Sequence, residues 1–232
     1  MAERVSMAGL AARHRLDTQA VSRLERLLER VVADEMAPTT VTAPRAVLRD
    51  HLADSLVALD LEAVRTAGAV ADLGAGAGFP GLPLAIALPR ARVRLVESNG
   101  RKCEFIRRTA EACGIANAEV VNARAEEWAA GREQCDLVVV RAVAPLPVVA
   151  EYAAPLLQVG GTLLVWKGRR DPDDELQGAR AAARLGLEPG SPIRVEPYPG
   201  ALNRHLHPMV KVRPTPPDFP RRAGMARKRP LG

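Results

Sequence analysis

The chain has almost no aromatic side chains. Phe, Tyr and Trp make up 3% of its 232 residues, so large rings cannot carry the core and Ala, Val and Leu must. Cysteine is scarce as well. Cys103, Cys113 and Cys135 are an odd number without C-x-x-C spacing. That argues against a zinc site or a disulfide framework and fits a reducing compartment. No apolar signal core follows Met1-Ala2-Glu3-Arg4. Residues 69–89 are apolar overall, but Asp72, the glycines and three prolines there exclude a membrane helix. These absences predict a cytoplasmic protein with no membrane partner and no metal.

What is present suffices for one α/β domain with a modest extension. The sequence is 47% hydrophobic and carries a net charge of +6. A basic balance favours polyanions, nucleic acid above all, or an acidic membrane surface. Residues 1–15 read as a loose basic end. Apolar residues at helical spacing predict a helix over Leu16–Val32 and a second over Arg45 to about Val64. From residue 69 the pattern alternates. Val- and Leu-rich runs at 69–73, 92–97, 118–122, 136–140 and 162–166 read as buried parallel strands. Helices fit between them at about 81–88, 100–113, 145–157 and 173–185, and further strands near 193–197 and 206–212 would finish the sheet. The expected fold is doubly wound α/β with a mostly parallel, seven-stranded sheet. The expected parts are a helical cap (1–66), a core (67–215) and a basic tail (216–232).

The most informative stretch runs Asp72-Leu73-Gly74-Ala75-Gly76-Ala77-Gly78-Phe79-Pro80-Gly81. Glycines at the end of a strand let backbone amides approach a ligand with no Cβ in the way. Gly76 to Gly81 matches the dinucleotide pattern, and Glu97 stands about 20 residues on, where a ribose-binding acid is wanted. The pattern alone leaves a nicotinamide cofactor and another adenosine cofactor open. Three features favour S-adenosylmethionine. Asp72 precedes the first glycine and suits a cationic ligand, the chain has no second substrate domain, and the third strand leads into Arg124-Ala125-Glu126-Glu127.

Several longer stretches together resemble the bacterial RsmG family, also called glucose-inhibited division protein B. They are His51-Leu52-Ala53-Asp54-Ser55-Leu56, the glycine loop through Gly81, Val96-Glu97-Ser98, Arg124-Ala125-Glu126, Arg141-Ala142-Val143-Ala144-Pro145-Leu146, Lys167-Gly168 and Pro220-Arg221-Arg222-Ala223-Gly224. The resemblance covers nearly the whole chain. It implies a class I methyltransferase that makes N7-methylguanosine in the decoding-region loop of 16S rRNA, on RNA or on the small ribosomal subunit. It places cofactor contacts at Gly74, Phe79, Ala125, Glu126 and Arg141, with Glu97 at the ribose. Asp72, Gly76 and Gly78 complete the expected cofactor set. One departure is Ala37-Pro38-Thr39-Thr40-Val41-Thr42, where the family has an Asn-Leu-Thr segment.

Guanine N7 has a free lone pair, so such an enzyme needs no general base. Arg141 is the expected catalytic residue, bonding to O6, phosphate or cofactor. Between Arg204 and Gly232 stand eight cations and the single acid Asp218, a net of +7 that exceeds the charge of the entire chain. Lys167, Arg204, Arg221 and Arg222 are therefore expected to meet RNA phosphates. His51 and Asp54, three apart on one helix, read as a structural hydrogen bond to the sheet. Phe79 and Trp128 either stack on adenine or fill space. A monomer is expected.

Overall fold

The computed structural model describes residues 5–232. Five strands run parallel at its centre: β1 (Ala69–Leu73), β2 (Arg92–Glu97), β3 (Ala118–Asn122), β4 (Cys135–Arg141) and β5 (Leu157–Lys167). Three antiparallel strands complete the sheet: β6 (Leu187–Pro189), β7 (Ile193–Arg194) and β8 (His205–Lys211). The strand order is β3-β2-β1-β4-β5-β8-β6, with the two-residue β7 also pairing β8. The main path is the expected seven strands. Chain order reverses between β1 and β4, so the crevice opens at their carboxyl ends.

The strands divide their side chains by alternation. Val70, Leu137, Val139 and Leu164 face one side, and Ala71, Val138, Val140 and Leu163 face the other. Helices α1 (Met7–His14) and α2 (Thr18–Ala33) lie on the first face. So do α3 (Pro44–Ala46), a π-helical stretch at Val47–Ala53, α4 (Asp54–Leu56), a 3-10 turn at Val57–Asp60, and α5 (Glu62–Arg65). Leu24, Leu27, Val31, Leu52 and Leu56 from this layer join the same core as Val70, Val93 and Leu95 of the sheet. Helices α6 (Gly81–Ala87) and α7 (Gly100–Ala112) pack there too. The second face carries α8 (Leu146–Ala153), α9 (Pro172–Leu185) and α10 (Met225–Lys228).

Local signals set the helix ends. Asp17 caps α2 by accepting from the Ala20 amide at 2.7 Å, Asn99 caps α7, and Asp171 with Pro172 opens α9. Gly186, at φ +82°, stops α9 in a left-handed turn.

Three expectations change, and the basic tail takes a defined place. The basic end is a helix from Met7, because Ser6 caps it and Leu10 buries; residues 1–4 lie outside the described residues. The second helix runs on from Pro44 to Asp60, widening to a π-helix at Val47–Ala53, where the Asp50 carbonyl accepts from Arg141 at 3.0 Å, and breaks at the extended Leu61 before α5. The strand expected at 193–197 is only two residues long, since Pro197 and Pro199 follow and prolines offer no ladder N–H. The edge strand lies earlier, at Leu187–Pro189. The tail is packed on the core: Ala226 and Leu231 are 3% and 4% exposed.

Candidate active site

The glycine loop leaves β1 with Gly74, Gly76 and Gly78 at φ +69°, +59° and +89°. Only glycine takes these angles without strain. Space forbids a Cβ as well: at Gly74 it would lie 2.6 Å from a Val143 methyl, and at Gly78 2.5 Å from a Leu82 methyl. Asp72 lies beneath this loop. Its Oδ2 accepts from the Gly81 amide at 2.8 Å, tying the end of β1 to the start of α6. The residue is 1% exposed. Burial pushes its carboxyl up to about 7, opposed by the Gly81 N–H and by Arg141. The acid expected to face a cationic ligand thus stands under the crevice floor, and its Oδ1 has no partner among the described residues.

Above the loop is a cavity of about 280 Å³ lined by Gly74, Glu97, Lys102, Ala125, Glu126 and Tyr152 among others. Glu97 ends β2. The Gly76 amide donates to its Oε2 at 3.1 Å and the Asn99 amide to its Oε1 at 2.8 Å. Each oxygen keeps a second lone pair. A carboxylate fixed in this way fits two ribose hydroxyls, and the loop glycines let a ligand lie close to backbone. These residues fit an adenosine-type cofactor such as S-adenosylmethionine.

Of the residues expected at the cofactor, Gly74, Glu97, Ala125 and Glu126 line this cavity. Gly76 acts through Glu97, and Gly78 shapes the turn. The Phe79 ring is 5% exposed and stacks on His51 at 4.4 Å, inside the contact between the N-terminal layer and the loop. Trp128 lies over Gly131 and against the Arg94 guanidinium. Tyr152 and Arg227 also line the cavity. No sequence pattern pointed to them, because α8 and α10 reach the crevice through tertiary packing alone.

Arg141 lines a second cavity, also about 280 Å³, with Asp54, Ala142, Trp166, Lys167 and Arg204. Its guanidinium donates to Asp54 Oδ2 at 2.9 Å, to the Asp50 carbonyl, and to His51 Nδ1 at 3.3 Å. The other His51 nitrogen then donates to Thr39 Oγ1 at 2.8 Å. Burial, then the Arg141 charge, depresses the His51 pKa to about 4. The ring is neutral and engaged on both sides. Ala142 lines both cavities at φ +57°. A strained non-glycine backbone of this kind, costing about 1–3 kcal/mol, is typical of functional sites.

The expected RNA-facing cations divide. Lys167 pairs with Asp174 at 2.7 Å, and Arg204 Nε stands 3.3 Å from Asp54 Oδ1. Arg221 turns inward: its Nε donates to Glu151 at 2.8 Å, and Glu151 is 1% exposed. This guanidinium is not offered to a phosphate, because it neutralises a buried carboxylate. Arg222 is exposed, as are Lys228 and Arg229. Lys211 is buried, which lowers its pKa to about 8. Beyond Arg221 the tail crosses the cofactor cavity. The Gly224 amide donates to Glu126 Oε1 at 3.1 Å, and Arg227 donates to the Val143 carbonyl at 3.1 Å. Among the described residues no three His, Cys, Asp or Glu side chains gather as a metal site, and no helix is long and apolar enough to cross a membrane.

The buried Asp72 carboxyl predicts a pH signature. Its pKa is raised on folding, so it contributes stability at low pH that is lost as pH rises from about 4 to about 7. Asp72→Asn removes this titration. Between pH 4.5 and pH 8 the stability of the cofactor-free variant, relative to wild type, should improve by on the order of a few kcal/mol. Urea unfolding at the two pH values measures it, and parallel pH profiles would contradict the burial argument.

Comparison with known proteins agrees with this geometry. The family described as rRNA small subunit methyltransferase G (GidB) matches residues 19–191. A relative from Rubrobacter xylanophilus, named ribosomal RNA small subunit methyltransferase G, is 46% identical over 195 residues, covering 81% of this chain and 74% of its own. One of the same name from Chloroflexus aggregans is 41% identical over 220 residues, covering 90% of both. Solved structures similar in fold include precorrin-6y C5,15-methyltransferase from Geobacter metallireducens, with TM-score 0.52 and 16% identity over 68% of this chain and 88% of its own. A 16S rRNA (adenine(1408)-N(1))-methyltransferase from Catenulisporales acidiphilia gives TM-score 0.53 and 18% identity over 67% of this chain and 90% of its own. At such identities these two speak for a class I methyltransferase fold alone. The sequence relatives go further: this chain belongs to the rRNA small subunit methyltransferase G family and is a methyltransferase that uses S-adenosylmethionine.

Proposed function

We propose that the chain methylates N7 of a guanosine in the decoding-region loop of 16S rRNA, on the RNA or on the small subunit, in the cytoplasm. The observation that carries this reading is the pair of adjoining cavities. One fits the cofactor, the other lies beside it past Ala142, and a purine in the second would meet the first at the strained turn after β4.

When bound, the cofactor supplies an electrophilic methyl on a cationic sulfur. Guanine N7 needs no deprotonation before it attacks, and the chain matches that need. His51, behind Arg141, is neutral and has both nitrogens engaged, and His205, which lines the second cavity, has its Nδ1 on the Gly168 carbonyl at 2.9 Å. The residues instead orient and polarise. The glycine loop and Glu97 hold the cofactor, and rigid alignment of two reactants supplies much of the rate. Positive charge moves onto the purine during transfer, so the Asp54 carboxylate in the second cavity favours the transition state. Lys167 and Arg204 stand beside acids, which keeps a bare cation away from the N7 lone pair. Arg141, held on three sides, has a positioning role toward Asp54 and the cavity wall.

RNA is held by the exposed cations Arg222, Lys228 and Arg229 of the tail and Arg101 of α7, with the half-buried Lys102 at the cofactor cavity beside them. Phosphate contacts of this kind release counterions, so binding weakens with salt.

Two outcomes are expected. Mapping of methylated nucleotides in 16S rRNA with and without the gene should show loss of a single N7-methylguanosine; an unchanged map contradicts the proposed reaction. Replacing Arg222, Lys228 and Arg229 with alanine should lower the slope of log affinity for RNA against log salt by about 2–3, while calorimetric cofactor affinity is unchanged. An unaltered slope removes the tail from the RNA interface.

A further inference from the structure

Asp54 presents an unusual arrangement in the second cavity. Its side chain is 9% exposed. Oδ2 accepts from Arg141, and the Trp166 indole donates to its main-chain carbonyl at 2.7 Å. The residue is therefore fixed from two sides. Oδ1, however, has no hydrogen-bond partner among the described residues. The nearest cation, Arg204 Nε, lies at 3.3 Å without hydrogen-bonding geometry, on a side chain that is 35% exposed. A buried carboxylate oxygen left in this state is costly, and such an atom calls for a ligand.

The chemistry of the ligand follows from the atom. Oδ1 is an acceptor with negative charge, so it selects donors. The cavity, about 280 Å³, has room for a flat base and adjoins the cofactor cavity at Ala142. Among the bases only guanine combines an N7 with two adjacent donors, N1–H and the 2-amino group, on the opposite side of its rings. Adenine offers an unprotonated N1 there, and the pyrimidines have no N7. A guanine held by its donor edge at Asp54 turns N7 away from the carboxylate.

We propose that Asp54 is the residue that reads guanine: Oδ1 accepts from N1–H and the 2-amino group, and Arg204 covers this oxygen until the base replaces it. Arg204 then turns outward, where a phosphate of the same RNA can take its charge. Arg141 remains on Oδ2, so the carboxylate keeps one counter-ion while it holds the base. The assignment rests on the guanine-N7 reading above and adds to it the origin of base selectivity.

The test uses full-length enzyme and 16S rRNA carrying either guanosine or inosine at the methylated position. Inosine keeps N7 and N1–H and lacks only the 2-amino group. Wild type should lose about tenfold or more in kcat/KM on inosine, the size of a hydrogen bond to a charged group. Asp54→Asn can keep its oxygen on Arg141 while presenting an amide N–H where Oδ1 stood. Its activity on guanosine should fall, and its guanosine-to-inosine ratio should drop to about 1–3. Arg204→Gln should raise KM and keep the wild-type ratio, which retains a test if Asp54→Asn does not fold. A wild-type ratio near one, an unchanged ratio in Asp54→Asn, or a ratio lost in Arg204→Gln would each overturn the assignment. If wild type forms no N7-methylguanosine even from the guanosine RNA, the proposed reaction itself fails, and this assignment with it.

Discussion

Arg141 leaves the end of β4 and meets Asp54 of the N-terminal layer at 2.9 Å, with the two side chains 15% and 9% exposed. This contact joins segments 87 residues apart. The same guanidinium holds the Asp50 carbonyl of the π-helical stretch and the His51 ring, and that ring stacks on Phe79 of the glycine loop. The first helical layer, the central strand and the cofactor loop are thus pinned at one point. A buried ion pair adds little net stability over apolar packing, but removing one partner leaves a charge stranded, at about 3–5 kcal/mol. Its consequence here is geometric: it fixes the wall between two cavities.

The rest follows outward from that point. Alternating strand residues place helices on both faces, and the reversal of strand order opens the crevice at the carboxyl ends of β1 and β4. Glycines at left-handed angles bring backbone close on one side of the crevice, and Glu97 closes it at the end of β2. Ala142, strained at φ +57°, borders both cavities. The tail then crosses the cofactor side through Gly224 and Arg227. Of its cations, Arg221 neutralises the buried Glu151 and Arg227 bonds the Val143 carbonyl, while Arg222, Lys228 and Arg229 are exposed.

The parallel strands and the glycine loop were legible because local chemistry decides them: Val- and Leu-rich runs bounded by Gly and Pro leave few alternatives. The helix at Met7–His14 was missed because eight Ala-rich residues are too short to show a helical period, and Met7, Leu10, the buried His14 side chain and the Arg13 contacts with Asp60 and the Glu196 carbonyl draw it in. The π-helical stretch is set by Arg141, far away in sequence. The role of Asp72 was misplaced for a similar reason. A carboxylate before glycines reads as a cation receiver, whereas the fold gives it the Gly81 amide and buries it. Four of the cofactor positions line the cavity, and they lie at or just beyond strand ends, where position along the chain and position in space agree. Tyr152 and Arg227 carry no such sign.

The direct test of the central claim is a double-mutant cycle on the pair, with Arg141→Met, Asp54→Ala and the double variant compared by urea unfolding. If the pair joins the helical layer to the sheet, each single change is costly. The double variant should then cost less than their sum by about 1–3 kcal/mol. Costs that add to within about 0.5 kcal/mol would show two independent residues and contradict the account.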